Sequence, residues 1–223
     1  MKKIMLLAFV LMGQLLTAQN VTRTLGDFNI IRVFDRINVT LVASNENKIE
    51  IKGSRAGDVE IVTKNNELKI RMKLTKLLQG ETLDATVYYK KITQVEASEG
   101  SYVGSADTFK GASFMISSKE GSNVKLALNV DKLSSKINSG GEIEVSGSAD
   151  NHDATITTGG NLKAKGLSTK QTAITISAGG EADVTASDLV DAKTRAGGSI
   201  DIFGNPKTVN KKTTAGGNIE VRG

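Results

Sequence analysis

The sequence predicts an all-β chain, most of it a parallel β-solenoid, and three observations carry that reading. A Gly-Gly pair recurs at Gly140/Gly141, Gly159/Gly160, Gly179/Gly180, Gly197/Gly198 and Gly216/Gly217, in steps of 19, 20, 18 and 19 residues. A period near 20 residues marks a stack of similar coils. Around each pair, apolar and polar residues alternate with the two-residue period of a strand that buries one face. The 223 residues also include 23 glycines, a single proline and no tryptophan. That composition suits repeated tight turns better than disorder or collagen. With 39% apolar residues and no Pro- or Ser-rich linker, one domain is expected.

Taken in order, the chain opens with Met1-Lys2-Lys3, an apolar run over 4–16 and Thr17-Ala18-Gln19. These are the charged, apolar and small-residue regions of a secretory signal peptide over 1–18, cut after Ala18. The apolar run is too short to span a bilayer comfortably. Losing Lys2 and Lys3 lowers the formal charge from +5 to +3. The expectation is an exported domain over 19–223, periplasmic, secreted or on the cell surface, that does not span the membrane once the leader is gone. With no cysteine there is no disulfide, thiolate metal site or lipid-modified cysteine. Stability has to come from the core.

Residues 28–90 alternate without the long period: Ile37, Val39 and Leu41; Ile49 and Ile51; Val59 and Ile61; Leu68, Ile70 and Met72; Val87 and Tyr89. They read as ordinary strands, with Asn65-Asn66 as a hairpin turn. An antiparallel cap over about 28–90 would cover the first rung, whose open edge otherwise invites another chain.

The rungs are expected over about 91–223. Val95 to Gly100 and Ile116 to Gly121 repeat one another at a step of 21 residues. Matching Val95 and Ile116 to Ile137 brings Val103 and Val124 onto Val145 and gives about seven rungs. In the regular rungs, Ile137, Ile156, Ile176, Thr194 and Thr213 stand three places before the first glycine. After the pair, Ile143, Leu162, Ala182, Ile200 and Ile219 form one column, and Val145, Ala164, Val184, Ile202 and Val221 another. Stacking at a strand spacing of about 4.8 Å joins these columns into one core. The ten glycines fit corners where φ is positive and a Cβ would crowd the next rung. Ile219 and Val221 are left on an uncapped edge, a route to a homo-oligomer.

The chain resembles the auto-transporter adhesin, head GIN domain family of exported bacteroidete proteins. The resemblance lies in Val33-Phe34-Asp35-Arg36-Ile37-Asn38-Val39, in Asn66-Glu67-Leu68-Lys69-Ile70-Arg71, and in Gly204-Asn205-Pro206-Lys207 leading to Lys211-Lys212 and Gly216-Gly217-Asn218-Ile219. It implies a right-handed, single-stranded β-helix similar to the pectin lyase superfamily, and a role in adhesion without an established catalytic site.

Candidate chemistry is sparse. The outward column Glu144, Lys163, Asp183, Asp201, Glu220 stacks three acids, Asp183, Asp201 and Glu220, which is the one conceivable calcium site. The competing reading is a solvated face neutralised by Lys193, Lys211 and Lys212. His152, in the apparent turn Asp150-Asn151-His152-Asp153, is the sole histidine and has no sequence partner for metal or general-base work. Glycine pairs followed by strands are no nucleotide cradle, because that motif needs a following helix. The basic run from Lys69 to Lys76 lacks interleaved aromatics for stacking on bases, and export removes the chain from nucleic acid. One of Tyr88 and Tyr89 has to face outward, which makes it the best single glycan contact, with Tyr102 the only other tyrosine.

These observations favour a non-enzymatic envelope protein, an adhesin or binding scaffold, with no catalytic group and no cofactor. Its ligand would be an envelope or extracellular glycan or protein. The alternatives are a carbohydrate-active enzyme or glycan-binding protein on a β-helix, or a self-assembling structural protein.

Overall fold

Alternation of buried and exposed side chains over long stretches produces strands that wrap whole coils. The computed structural model describes residues 20–79 and 82–222; the export leader expected over 1–18 lies outside them. The first eight strands are β1 (Val21–Thr24), β2 (Ile30–Val33), β3 (Ile37–Ala43), β4 (Lys48–Lys52), β5 (Val59–Lys64), β6 (Glu67–Met72), β7 (Leu83–Tyr89) and β8 (Gln94–Ala97). The rungs proper are β9 (Tyr102–Lys119), β10 (Asn123–Asn138), β11 (Glu142–Ile156), β12 (Asn161–Ala178), β13 (Glu181–Ala196), β14 (Ser199–Phe203), β15 (Thr208–Ala215) and β16 (Asn218–Val221). Strands β9 to β13 stack in parallel in chain order.

Each long strand serves two faces of the solenoid. In β10 the alternation slips at Asp131-Lys132, both exposed, and there the strand bends from one face to the other. The first face carries the column Val124–Ile143–Leu162–Ala182–Ile200–Ile219. The second carries Ile137–Ile156–Ile176–Thr194–Thr213. Both columns fall where the repeat places them. Fully burying one such aliphatic side chain contributes roughly 1.5–3 kcal/mol, and the fully buried Ile143, Leu162, Ile156 and Ile176 come from consecutive rungs.

The two early rungs sit two residues away from the expected register. Ile116 lies beside Ser135 rather than Ile137, and Val124 beside Ile143 rather than Val145. The corners decide it. Gly100, Gly121, Gly140 and Gly159 donate in one line to the carbonyls of Glu120, Ser139, Thr158 and Ala178. Continuing through Gly179, Gly197 and Gly216, this line makes seven corners. A shift of two preserves side-chain parity, so the same residues still face inward.

The corners are of two kinds. Early ones are left-handed pairs that are not Gly-Gly: Glu99-Gly100 (φ 56 and 71), Glu120-Gly121 (54 and 70) and Ser139-Gly140 (50 and 74). From Gly159-Gly160 (60 and 108) onward, both left-handed residues are glycine. Gly141 therefore departs from the expectation of positive φ. It is glycine for another reason, since a Cβ there would lie 2.4 Å from the Ser118 carbonyl oxygen. At the equivalent places in earlier rungs stand Ser101 and Ser122. Both are buried, and their hydroxyls donate to Val33 O (3.0 Å) and Ala97 O (2.8 Å).

Parallel stacking reaches further toward the N-terminus than residue 91. β2 pairs in parallel with β6 and β8, and β3 with β7 and β9. The coil β6–β7 thus lies outside the coil β2–β3, although it follows it in the chain. Among the described residues, antiparallel pairing is confined to β1 with β4, β4 with β7, and β5 with β6. These strands cover the outermost parallel coil, β6–β7, whereas the rung that begins at β8 is covered by the parallel strands β2 and β3. The Asn65-Asn66 turn joins β5 to β6 as expected, with both residues left-handed.

Candidate functional site

The corners leave a groove. Because the first glycine of each pair carries no side chain and the second packs onto the rung beneath, the surface dips along the stack. The dip is lined by Gly140, Gly141, Glu142, Gly159, Gly160, Asn161, Gly180, Glu181, Gly198 and Ser199, with a volume of about 580 Å³. Its floor is backbone and its flank is Glu142, Asn161, Glu181 and Ser199, the middle of a ladder in strict register that starts with Tyr102 and Asn123 and ends on Asn218. Within the ladder, Asn123 Nδ2 donates to Glu142 Oε1 at 2.8 Å. Lys163, one column away, pairs with Glu142 at 2.8 Å.

That next column holds the sequence-predicted acids. Glu144, Lys163, Asp183, Asp201 and Glu220 do stack in register. Their direct ion-pair partner is not one of the three lysines expected, although the Lys211 charge helps hold the Glu220 carboxyl below its ordinary range. Lys193 pairs with Asp191, and Lys211 reaches the carbonyl of Ile219. Arg222 instead bridges Asp201 (3.2 Å) and Glu220. It follows Glu220 by two residues on the same strand path, which puts both side chains on one face. Burial, then the neighbouring Asp201, raise the Asp183 carboxyl above its ordinary range. Among the described residues no three His, Asp or Glu side chains are arranged to hold a metal ion.

Other candidates are satisfied locally. In the basic run, Arg71 pairs with Glu60 at 2.6 Å, Lys69 with Glu67 at 3.8 Å, and Lys73 donates to Gly57 O. Tyr88 is the outward tyrosine, and its ring is covered by the Lys48 ammonium 4.4 Å from the centroid. Tyr89 is buried and stacks on Phe109 at 5.3 Å. Burial pushes its hydroxyl up to about 12.

His152 is the main surprise. It lies inside β11 rather than in a turn, 1% exposed, with Nε2 2.9 Å from Ser135 Oγ. A serine–histidine contact suggests a nucleophile and its base. Here Nδ1 has no orienting partner and both side chains are sealed in the core. No substrate can reach the pair, so it is structural.

A second set missed in sequence lies at the first two of the seven corners and at the left-handed pair Asp35-Arg36 that precedes them on the same line. Asp35, Glu99 and Glu120 occupy equivalent left-handed positions, which brings three carboxylates into one stack. Asp35 accepts from the Met72 amide (2.8 Å), and Glu120 from the Ser98 hydroxyl (2.7 Å). A hydrogen bond to Asp35, then burial and the charges of Asp35 and Glu120, push Glu99 up to about 7. Its proton is bound more tightly in the folded than in the unfolded chain. The resulting stability is complete below about pH 4.5 and is lost as pH rises through 7. Glu99→Gln keeps a donor for Asp35 without the charge. It should raise the denaturant midpoint at pH 8 and leave it unchanged at pH 4; an equal gain at both would refute this account.

The sequence pattern described as "Putative auto-transporter adhesin, head GIN domain" matches residues 27–206. The chain belongs to this family. Solved structures of the same fold include a "putative adhesin" from Bacteroides fragilis, 19% identical, with a TM-score of 0.83 over 92% of this chain and 97% of that one. A "putative adhesin" from Parabacteroides distasonis is 20% identical, with a TM-score of 0.73 over 92% and 96%. A "putative lipid binding protein" from the same species is 17% identical, with a TM-score of 0.68 over 91% and 96%. At these identities the likeness speaks to fold alone. No curated protein matches the sequence. Among the described residues of this head GIN domain, no helix is long and apolar enough to cross a membrane.

Proposed function

We propose that this head GIN domain is an exported, non-enzymatic adhesin that holds an extended extracellular ligand, a glycan or polypeptide strand, along the corner groove. The observation that carries this reading is the coincidence of a backbone-floored trough with a ladder of hydrogen-bonding side chains, Glu142, Asn161, Glu181 and Ser199, on consecutive rungs. A linear ligand laid across successive rungs meets a donor or acceptor about every 4.8 Å. Each contact is weak, and adhesion arises from their number. The family's adhesin description and the export leader expected over 1–18 agree with a ligand outside the cell.

The test is a binding panel of immobilised polysaccharides and extracellular matrix proteins, probed with the wild type and with Asn161→Lys/Glu181→Lys. Both substituted side chains lie at the rim of the trough on the outer face, so the fold should persist. The double variant should lose roughly tenfold or more in affinity for whichever surface the wild type recognises. Undiminished binding would place the contact elsewhere on the solenoid. Proteolysis of intact cells checks the location separately, because an adhesin must be cleaved from outside.

A further inference from the structure

Among the described residues, the rung built from β15 and β16 has no strand on its outer side, and one residue in it is out of place for a core. The inward column Ile116–Ser135–Ala154–Ile174–Ala192 ends on Lys211. Every earlier rung fills this place with a small or apolar side chain. The Lys211 ammonium turns across the rung and donates to the Ile219 carbonyl, 3.0 Å away on the opposite face. Around it lie half-buried Val209, buried Ile219 and Val221, 44% exposed.

A strand added to β15 would lengthen the solenoid by one coil and enclose Lys211. Side-chain alternation restricts what that strand can offer. To stay in phase with the core, it must place its own inward residues opposite Val209, Lys211 and Thr213. In a twofold pairing of β15 with β15 of a second copy, Lys211 would therefore meet Val209, Lys211 or Thr213 of that copy. None is acidic, and β15 contains no carboxylate at all. The acid on β16, Glu220, stands in the outward column, held by Asn218 (2.7 Å) and Arg222; the Lys211 charge acts on it without forming an ion pair. Burying an ammonium without a counter-ion is strongly unfavourable, and like charges directly opposite are destabilising. Inward-pointing charge is one of the ways sheet edges avoid pairing with themselves.

We propose that the β15 edge is a strand-acceptor surface whose partner is selected by Lys211: it turns away a second copy of this chain and accepts an extended segment that brings a carboxylate to the inward position opposite Lys211. This surface is separate from the corner groove, so either proposal can fail alone.

The Lys211→Glu variant supplies such an acidic strand on a known scaffold. Mixed with the wild type at micromolar concentration, it should give a heterodimer in sedimentation velocity, while each protein alone sediments as a monomer. Lys211→Val should self-associate, with an association constant roughly tenfold or more above that of the wild type. Lys212→Glu makes the same change in net charge on the outward face, beside Lys193, and should not pair with the wild type. Circular dichroism confirms that each variant is folded. A mixture of wild type and Lys211→Glu that stays monomeric overturns the proposal, as does pairing by Lys212→Glu equal to that by Lys211→Glu.

Discussion

Valine at Gly160 should lower the melting temperature by about 6–20 °C, while asparagine at the adjacent Gly159 should shift it only slightly. The two glycines look equivalent in sequence and differ physically. Gly159 has φ +60, and the nearest atom to an added Cβ is 3.9 Å away. Asparagine visits that left-handed well at modest cost. Gly160 has φ +108, and its Cβ would lie 2.4 Å from Ile137 Cγ2 and 2.7 Å from Gly141 O, both on the rung beneath. Backbone strain and overpacking add there, for a loss of about 3–5 kcal/mol. A domain of this size responds with about 2–4 °C per kcal/mol. The same asymmetry holds at Gly179/Gly180, Gly197/Gly198 and Gly216/Gly217, where the first glycine faces open space and the second faces the previous coil. Thermal unfolding followed by far-ultraviolet circular dichroism separates the two sites. Equal shifts for Gly159→Asn and Gly160→Val would show that the pair acts through turn conformation alone.

That contrast bears on what could be read before the structure. The columns from Ile143 to Ile219 were legible because parity and period are local properties of the chain, and stacking merely repeats them. The rungs that end in Glu99-Gly100 and Glu120-Gly121 were visible as a repeat, but their register fell two residues out because the repeat preserves a conformation, not a dipeptide. Two consecutive left-handed residues suffice, and Glu-Gly provides them as well as Gly-Gly does. The acid stack at Asp35, Glu99 and Glu120 was hidden for the same reason. The position of β6–β7 outside β2–β3 depends on which coil docks on which, and no short-range pattern encodes that. For His152 a signal existed. Counting back by two from Ile156 through Ala154 puts it on the inward face, but the polar neighbours Asp150, Asn151 and Asp153 read as a turn. The groove was likewise implicit in the glycine spacing, whereas the role of Arg222 needed the register of β14 against β16.

Acid should weaken the fold through His152, and removing the imidazole should blunt that effect. Burial holds His152 down at about 4, against an ordinary 6.5, with the nearby Asp153 only partly opposing it. The folded chain therefore binds this proton less readily than the unfolded chain. The contribution is fully present above pH 6.5 and is lost as pH falls through 4. A gap of about 2.5 units corresponds to about 3 kcal/mol at completion. Glu99 acts in the opposite sense over an overlapping range, so between about pH 4.5 and 6.5 the two partly cancel. The full cost of charging His152 should emerge only below that window. In His152→Leu/Ser135→Ala both partners of the buried hydrogen bond are removed together, which leaves no orphaned hydroxyl. Urea denaturation at pH 7 and pH 4 should show the double variant losing about 3 kcal/mol less than the wild type between the two conditions. If both proteins lose the same amount, the charge on His152 is being accommodated in the core. The unpaired Nδ1 would then have found a partner, most simply a water admitted between the rungs.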